Sequence, residues 1–118
     1  MLGSVAVSVS DRSLEAALAP LRERLGEAAL FCDVDGTLAP IVPRPEDSRL
    51  LEGVPEALLA LRDRVALLAF VSGRGLADVE RLVGIDGCAY AGNHGMELHR
   101  VGRRPELADG FDLVDRQT

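Results

Sequence analysis

Apolar residues recur at spacings of three and four from Leu14 through Ala17, Leu18 and Leu21 to Leu25, with Ser13 in front and Gly26 behind. This lines one face of a helix, which Ser13 is expected to cap, Pro20 to kink and Gly26 to stop. The apolar run Ala28 to Cys32 is too short for a helix and predicts a buried strand ending in the aspartates Asp33 and Asp35. Pro40, Pro43 and Pro45 then predict a loop or a broken edge hairpin. Pro55 stands where a first helical residue belongs, and Leu58, Leu61 and Val65 mark that helix's apolar face. VALLAFV, Val65 to Val71, is apolar at every position, as a central parallel strand should be, and stops at Ser72-Gly73-Arg74. In LADVERLVG the positions Leu76, Val79, Leu82 and Val83 keep helical spacing and Gly84 ends it. Cys88 to Ala91 predicts a third short strand, broken by Gly-Asn-His-Gly.

Strand, helix, strand, helix, strand implies the α/β class, with right-handed crossovers and a parallel sheet flanked by helices. Ligands of such sheets bind beyond the carboxyl ends of the strands. Both polar clusters, Asp33 to Thr37 and Ser72 to Arg74, fall there.

Length and composition narrow the picture. The 118 residues suit one domain with a real core. A net charge of -6 gives no broad attraction for nucleic acid or an anionic membrane, so neither is an expected partner. No signal peptide or membrane span is apparent, and two isolated cysteines, Cys32 and Cys88, suit a reducing, cytoplasmic compartment. All 13 basic side chains are arginines, and there is no lysine.

Residues two apart in an extended segment face the same way, roughly 6.6 Å apart. Asp33 and Asp35 are therefore expected to address one small volume, and Gly36 lets the chain turn just after them. Two facing carboxylates repel unless a cation joins them, and Mg²⁺, held by one or two carboxylates together with substrate phosphate and water, answers that need. The chemistry suggested is phosphoryl transfer to an ionised aspartate, with the second aspartate protonating the leaving oxygen and then activating water. Keeping an ordinary aspartate protonated at pH 7 costs about 4 kcal/mol, which burial and the charge of Asp33 are expected to supply. Thr37, Ser72 and the backbone N–H of Gly73 at a helix start are candidate phosphate donors. Arg74 adds positive charge there or pairs with a surface carboxylate. On local grounds the rival for Asp35-Gly36 is a two-residue hairpin, opposed by Pro40 and Pro43. His94 and His99 have no metal-ligand partners at suitable spacing, and Arg103 and Arg104 beside Gly102 read as a solvated turn.

Asp-Val-Asp-Gly-Thr followed 72 − 33 = 39 positions later by Ser-Gly-Arg resembles the first two motifs of the haloacid-dehalogenase-like phosphatases. More narrowly, FCDVDGTLAPIVPRPEDS, FVSGRGLADVERLVG and YAGNHGMEL together resemble the trehalose-6-phosphate phosphatase family, from about Ala28 to Leu98. The resemblance implies a Rossmann-like core and hydrolysis of trehalose 6-phosphate, a small sugar phosphate, through an aspartyl-phosphate. It makes Asp33 the nucleophile and a Mg²⁺ ligand. Asp35 becomes the acid/base and offers its backbone carbonyl to the metal, while Gly36, Thr37, Ser72, Gly73 and Arg74 fall at phosphate-binding positions. Asn93, His94 and Glu97 fall in a segment near the site, where they either take part or merely shape the loop.

The family's later motifs, a phosphate-neutralising lysine and an acidic pair completing the metal site, are not in this sequence. After Leu98 the acidic positions Glu106, Asp109, Asp112 and Asp115 do not form the expected group. Residues 1–26 are then expected to be a helical extension and residues 27–118 an incomplete core without its later strands and cap. The isolated chain is expected to be inactive, and either to need a partner supplying the missing half or to associate through an exposed sheet edge. Its tail, PELADGFDLVDRQT, is expected to fray.

Overall fold

The computed structural model describes residues 4–108, and side chains from residue 13 onward. Helix α1 spans Ser4–Glu23. It begins well before the expected cap, so Ser13 is an exposed interior residue rather than the N-terminus of the helix. Pro20 lies inside its last turns. There it removes one hydrogen bond, to the Ala16 carbonyl.

Strand β1, Ala29–Asp33, enters the sheet next, and β2, Leu67–Val71, lies parallel to it, with Asp33 beside Val71. Strand β3, Ala89–Gly92, is parallel to β2, placing Phe70 beside Tyr90. These elements match the apolar runs within two residues at their ends. Helix α2, Val54–Arg62, connects β1 to β2, with Pro55 at its second position. Helix α3, Leu76–Val83, connects β2 to β3 and ends on Gly84, whose φ of 68° is the left-handed cap that glycine accepts.

Two further strands were not foreseen. Strand β4, Glu97–His99, turns back antiparallel to β3, and β5, Glu106–Leu107, pairs antiparallel with β4 around the turn at Gly102. Glu106 and Leu107 are thus paired rather than frayed, and residues 109–118 lie outside the described residues. The alternation Met96, Glu97, Leu98, His99 was the available strand signal, but it is too short to stand out.

The strand order β1-β2-β3-β4-β5 steps in one direction, so both crossovers lay their helices on the same face. Leu68, Phe70 and Tyr90 meet Leu58 of α2 and Val79, Leu82 and Val83 of α3 there, with Val34 and Ala39 closing the top. The opposite face is less covered than a doubly flanked sheet implies: among the described residues Phe31 is 68% exposed and Val71 39%. Among the described residues strand β1 is also an unpaired edge. Burial raises the pKa of both cysteine thiols, which are free, so neither is a reactive group.

An open apolar edge of this kind recruits other chains. Sedimentation of the chain should show mass rising with concentration, and Phe31→Lys should reduce that association without unfolding the protein. A wild-type chain that stays monomeric over the whole range would rule out this account of the edge.

Candidate active site

Asp33 ends β1, and the chain then folds into a tight turn. The amides of Thr37, Leu38 and Ala39 all donate to the Val34 carbonyl, and the Gly36 amide donates to Ala39. Gly36 has φ of 82°, and a Cβ there would press on Ile41 at 3.3 Å, so the turn requires glycine. This is a closed turn followed by a proline loop, not the rival hairpin. The Asp35 carbonyl is left without a backbone donor among the described residues.

The two aspartates take different partners. Asp33 is exposed and accepts a 3.0 Å hydrogen bond from the Thr37 hydroxyl. Asp35 is clamped by Arg74: Nη2 reaches Oδ1 at 2.8 Å, and Nε lies 3.1 and 3.0 Å from Oδ1 and Oδ2. The expected neighbour of Asp35 was the like charge of Asp33, but its immediate neighbour here is a cation. Both Asp35 oxygens thus act as acceptors for the Arg74 guanidinium.

Arg74 is held on three sides. Its Nη1 donates to the Pro45 carbonyl at 3.1 Å and to Asp78 at 2.8 Å, and its side chain is only 11% exposed. The hydrogen bonds to Asp35, above all, raise the guanidinium's pKa, while Arg81 and then Arg74 hold the Asp78 carboxyl below its usual range. Of the two alternatives open for Arg74, carboxylate pairing is the one observed. Asp78 was missed by the sequence reading, although its i,i+4 spacing from Arg74 was a legible signal.

The Ser72-Gly73-Arg74 segment is a loop, not a helix start, since α3 begins at Leu76 behind Gly75. Its geometry still suits an anion. The Ser72 hydroxyl accepts from the Arg74 amide at 3.0 Å and donates weakly to Asp35 Oδ2 at 3.5 Å. Gly73 is required because a Cβ there would lie 2.6 Å from the His94 ring. The His94 amide donates to Ser72 and the Asn93 amide to Arg74, which docks the post-β3 loop onto this segment. Gly92 makes that docking possible, since a Cβ on it would meet Leu76 backbone at 2.6 Å. Glu97 is turned away to α3, where its carboxylate accepts the Leu76 amide at 3.1 Å and satisfies a helix-end N–H.

A cleft of about 460 Å³ opens here, lined by Asp35, Ile41, Val42, Pro45, Arg74 and His94. That volume is in the range of small-molecule sites, roughly 300 to 1,000 Å³. A larger hollow of about 560 Å³ lies at the far end of α3, around Glu80, Ile85 and His99, away from the aspartates. The donors that fit a Mg²⁺ ion are the exposed Asp33 carboxylate and the open Asp35 carbonyl. No cluster of three His, Cys, Asp or Glu residues adds to them among the described residues.

The model of the trehalose-phosphatase family matches residues 31–107. A trehalose-phosphate phosphatase of Mycobacterium bovis is 42% identical over 105 residues, covering 82% of this chain and 26% of that protein. One from Mycobacterium avium is 49% identical over 70 residues, covering 59% of this chain and 18% of the relative. Among solved structures, a trehalose-6-phosphate phosphatase related protein superposes with a TM-score of 0.64 at 28% identity, over 76% of this chain and 40% of that one. The C-terminal domain of the Candida albicans trehalose-6-phosphate phosphatase, at 21% identity and a TM-score of 0.69, shares the fold over 86% of this chain and 38% of its own. The chain thus spans about a quarter of the length of the Mycobacterium bovis relative. No helix among the described residues is long and apolar enough to cross a membrane.

Proposed function

The chain belongs to the trehalose-phosphatase family, and on that premise we propose that it is the nucleophile-bearing part of a Mg²⁺-dependent enzyme that hydrolyses trehalose 6-phosphate. The observation that carries this reading is the exposed Asp33 carboxylate at the carboxyl end of β1, held by Thr37 and separated in partner from Asp35. An Asp33 oxygen attacks phosphorus, the bond from phosphorus to the sugar oxygen breaks, and Asp35 hands that oxygen a proton. Asp35 then takes a proton from water, whose oxygen attacks the aspartyl-phosphate and releases phosphate. The Ser72 hydroxyl and the Gly73 amide bind phosphate oxygens. The Asp33 carboxylate and the Asp35 carbonyl would hold Mg²⁺, which would supply charge neutralisation on the phosphoryl group.

Arg74 is committed to Asp35 and Asp78, and the sequence offers no lysine to neutralise the phosphate. The isolated chain is therefore proposed to turn over slowly or not at all, and to need a second polypeptide that supplies a cation and further acidic ligands. The open β1 edge and the exposed Phe31 favour that partner. The test measures phosphate release from trehalose 6-phosphate with Mg²⁺, using the chain alone and then with the remaining part of a mycobacterial relative added as a separate polypeptide. Release is expected only in the mixture. Rapid turnover by the chain alone would refute the need for a partner, and none in a mixture that forms a complex would refute the enzyme reading.

A further inference from the structure

Asp78 stands in the first turn of α3, at its third position. An acidic side chain placed there ordinarily turns back to the free amides of the helix start. Asp78 does not, because Glu97 of β4 accepts the Leu76 amide instead. Both oxygens of Asp78 go to arginines: Oδ2 accepts from Nη1 of Arg74 at 2.8 Å, and Oδ1 from Nη2 of Arg81 at 2.5 Å. Arg81 and then Arg74 hold the carboxyl below its usual range, so a full negative charge faces Arg74 from α3.

The guanidinium is planar and its donors form a rigid fork, so whatever holds Nη1 sets how Nε and Nη2 meet Asp35. Nη1 is held by Asp78 and by the Pro45 carbonyl, which also accepts the Ser48 amide at 3.1 Å. In the resulting pose the two oxygens of Asp35 are unequally served. Oδ1 accepts Nη2 at 2.8 Å and a share of the Nε hydrogen at 3.1 Å. Oδ2 accepts only the other share, at 3.0 Å, and the weak 3.5 Å bond from Ser72. It is therefore the oxygen with more room for a proton. A guanidinium released by Asp78 can swing into the parallel fork, with one N–H on each oxygen, which is the stronger arrangement. Oδ2 would then be engaged as fully as Oδ1.

We infer that Asp78 is a positioning residue for departure of the leaving group: it holds Arg74 toward Oδ1 of Asp35 and so keeps Oδ2 open to carry the proton that the leaving oxygen takes. That proton passes from Oδ2 to the bridging oxygen as the bond from phosphorus to that oxygen breaks, and Asp35 is left ionised. This rests on the phosphatase reading and adds a residue to it. The test uses the complemented enzyme and its Asp78→Ala and Asp78→Glu variants with two substrates. Trehalose 6-phosphate has an alkoxide that needs the proton to leave, whereas the phenolate of p-nitrophenyl phosphate leaves without one. The ratio kcat/KM counts only the steps through that departure, so hydrolysis of the aspartyl-phosphate, common to both substrates, does not enter it. Asp78→Ala should lower kcat/KM for trehalose 6-phosphate about tenfold, a part of the roughly hundredfold or more that a positioned acid supplies, and leave p-nitrophenyl phosphate within about twofold. Asp78→Glu, which can still reach Arg74 one turn back, should recover part of the loss. Equal losses with both substrates would make Asp78 merely structural, and no loss with either would make it idle. Both results overturn the inference and leave the phosphatase reading standing. A wild-type mixture that forms a complex and releases phosphate from neither substrate overturns that reading, and the role of Asp78 with it.

Discussion

Asp33→Asn is expected to remove phosphate release from the complemented enzyme by at least about three powers of ten, equivalent to about 4 kcal/mol of transition-state stabilisation. The substitution changes almost nothing else. Asparagine has the same shape, and its amide oxygen can still accept the 3.0 Å bond from Thr37, so the turn after β1 should keep its form. What disappears is the negatively charged oxygen that attacks phosphorus. The measurement pairs phosphate release with the thermal midpoint of the variant. Loss of turnover at an unchanged midpoint supports Asp33 as nucleophile, whereas retention of a tenth or more of wild-type turnover would require a different one.

The second large effect concerns the fold. Phe70→Ala should destabilise the chain by about 3 to 5 kcal/mol, a substantial part of the roughly 5 to 15 kcal/mol available to a domain of this kind. Phe70 is fully buried on β2, and its ring stacks on Tyr90 of β3 at 5.3 Å. Tyr90 in turn ties the end of α3 to β3, its hydroxyl donating to the Ile85 carbonyl at 2.6 Å and accepting from the Ile85 amide. Emptying the Phe70 position therefore costs burial, the aromatic contact and the support of a hydrogen-bonded neighbour. The urea midpoint measures it, with Ile41→Ala as the exposed control, expected to move stability by less than about 0.5 kcal/mol. A Phe70→Ala shift below about 1 kcal/mol would mean that the core is not centred on β2.

The fold was most legible where one local rule applied alone. Val65 to Val71 is apolar throughout and became β2, and Leu76 to Val83 kept helical spacing and became α3. Ser13 misled because a serine before an apolar face is a cap only if the chain ahead of it is not already helical, and here α1 begins at Ser4. The β4 and β5 pair was missed because strands of three and two residues gain their stability from the sheet they join rather than from their own sequence.

Within the site, sequence placed Asp33, Asp35, Thr37 and Ser72 at adjacent strand ends, since parallel strands joined by right-handed crossovers leave their carboxyl ends side by side. It also showed that these 118 residues carry no lysine. Tertiary structure alone decided who pairs with whom. Arg74 reached back across 39 residues to Asp35 instead of facing outward, Glu97 went to the α3 amide, and His94 came to rest on Gly73. Each of these depends on distances between segments far apart in the chain. Residue type says what a side chain can bond to, but only the packed sheet brings one particular partner within 3 Å.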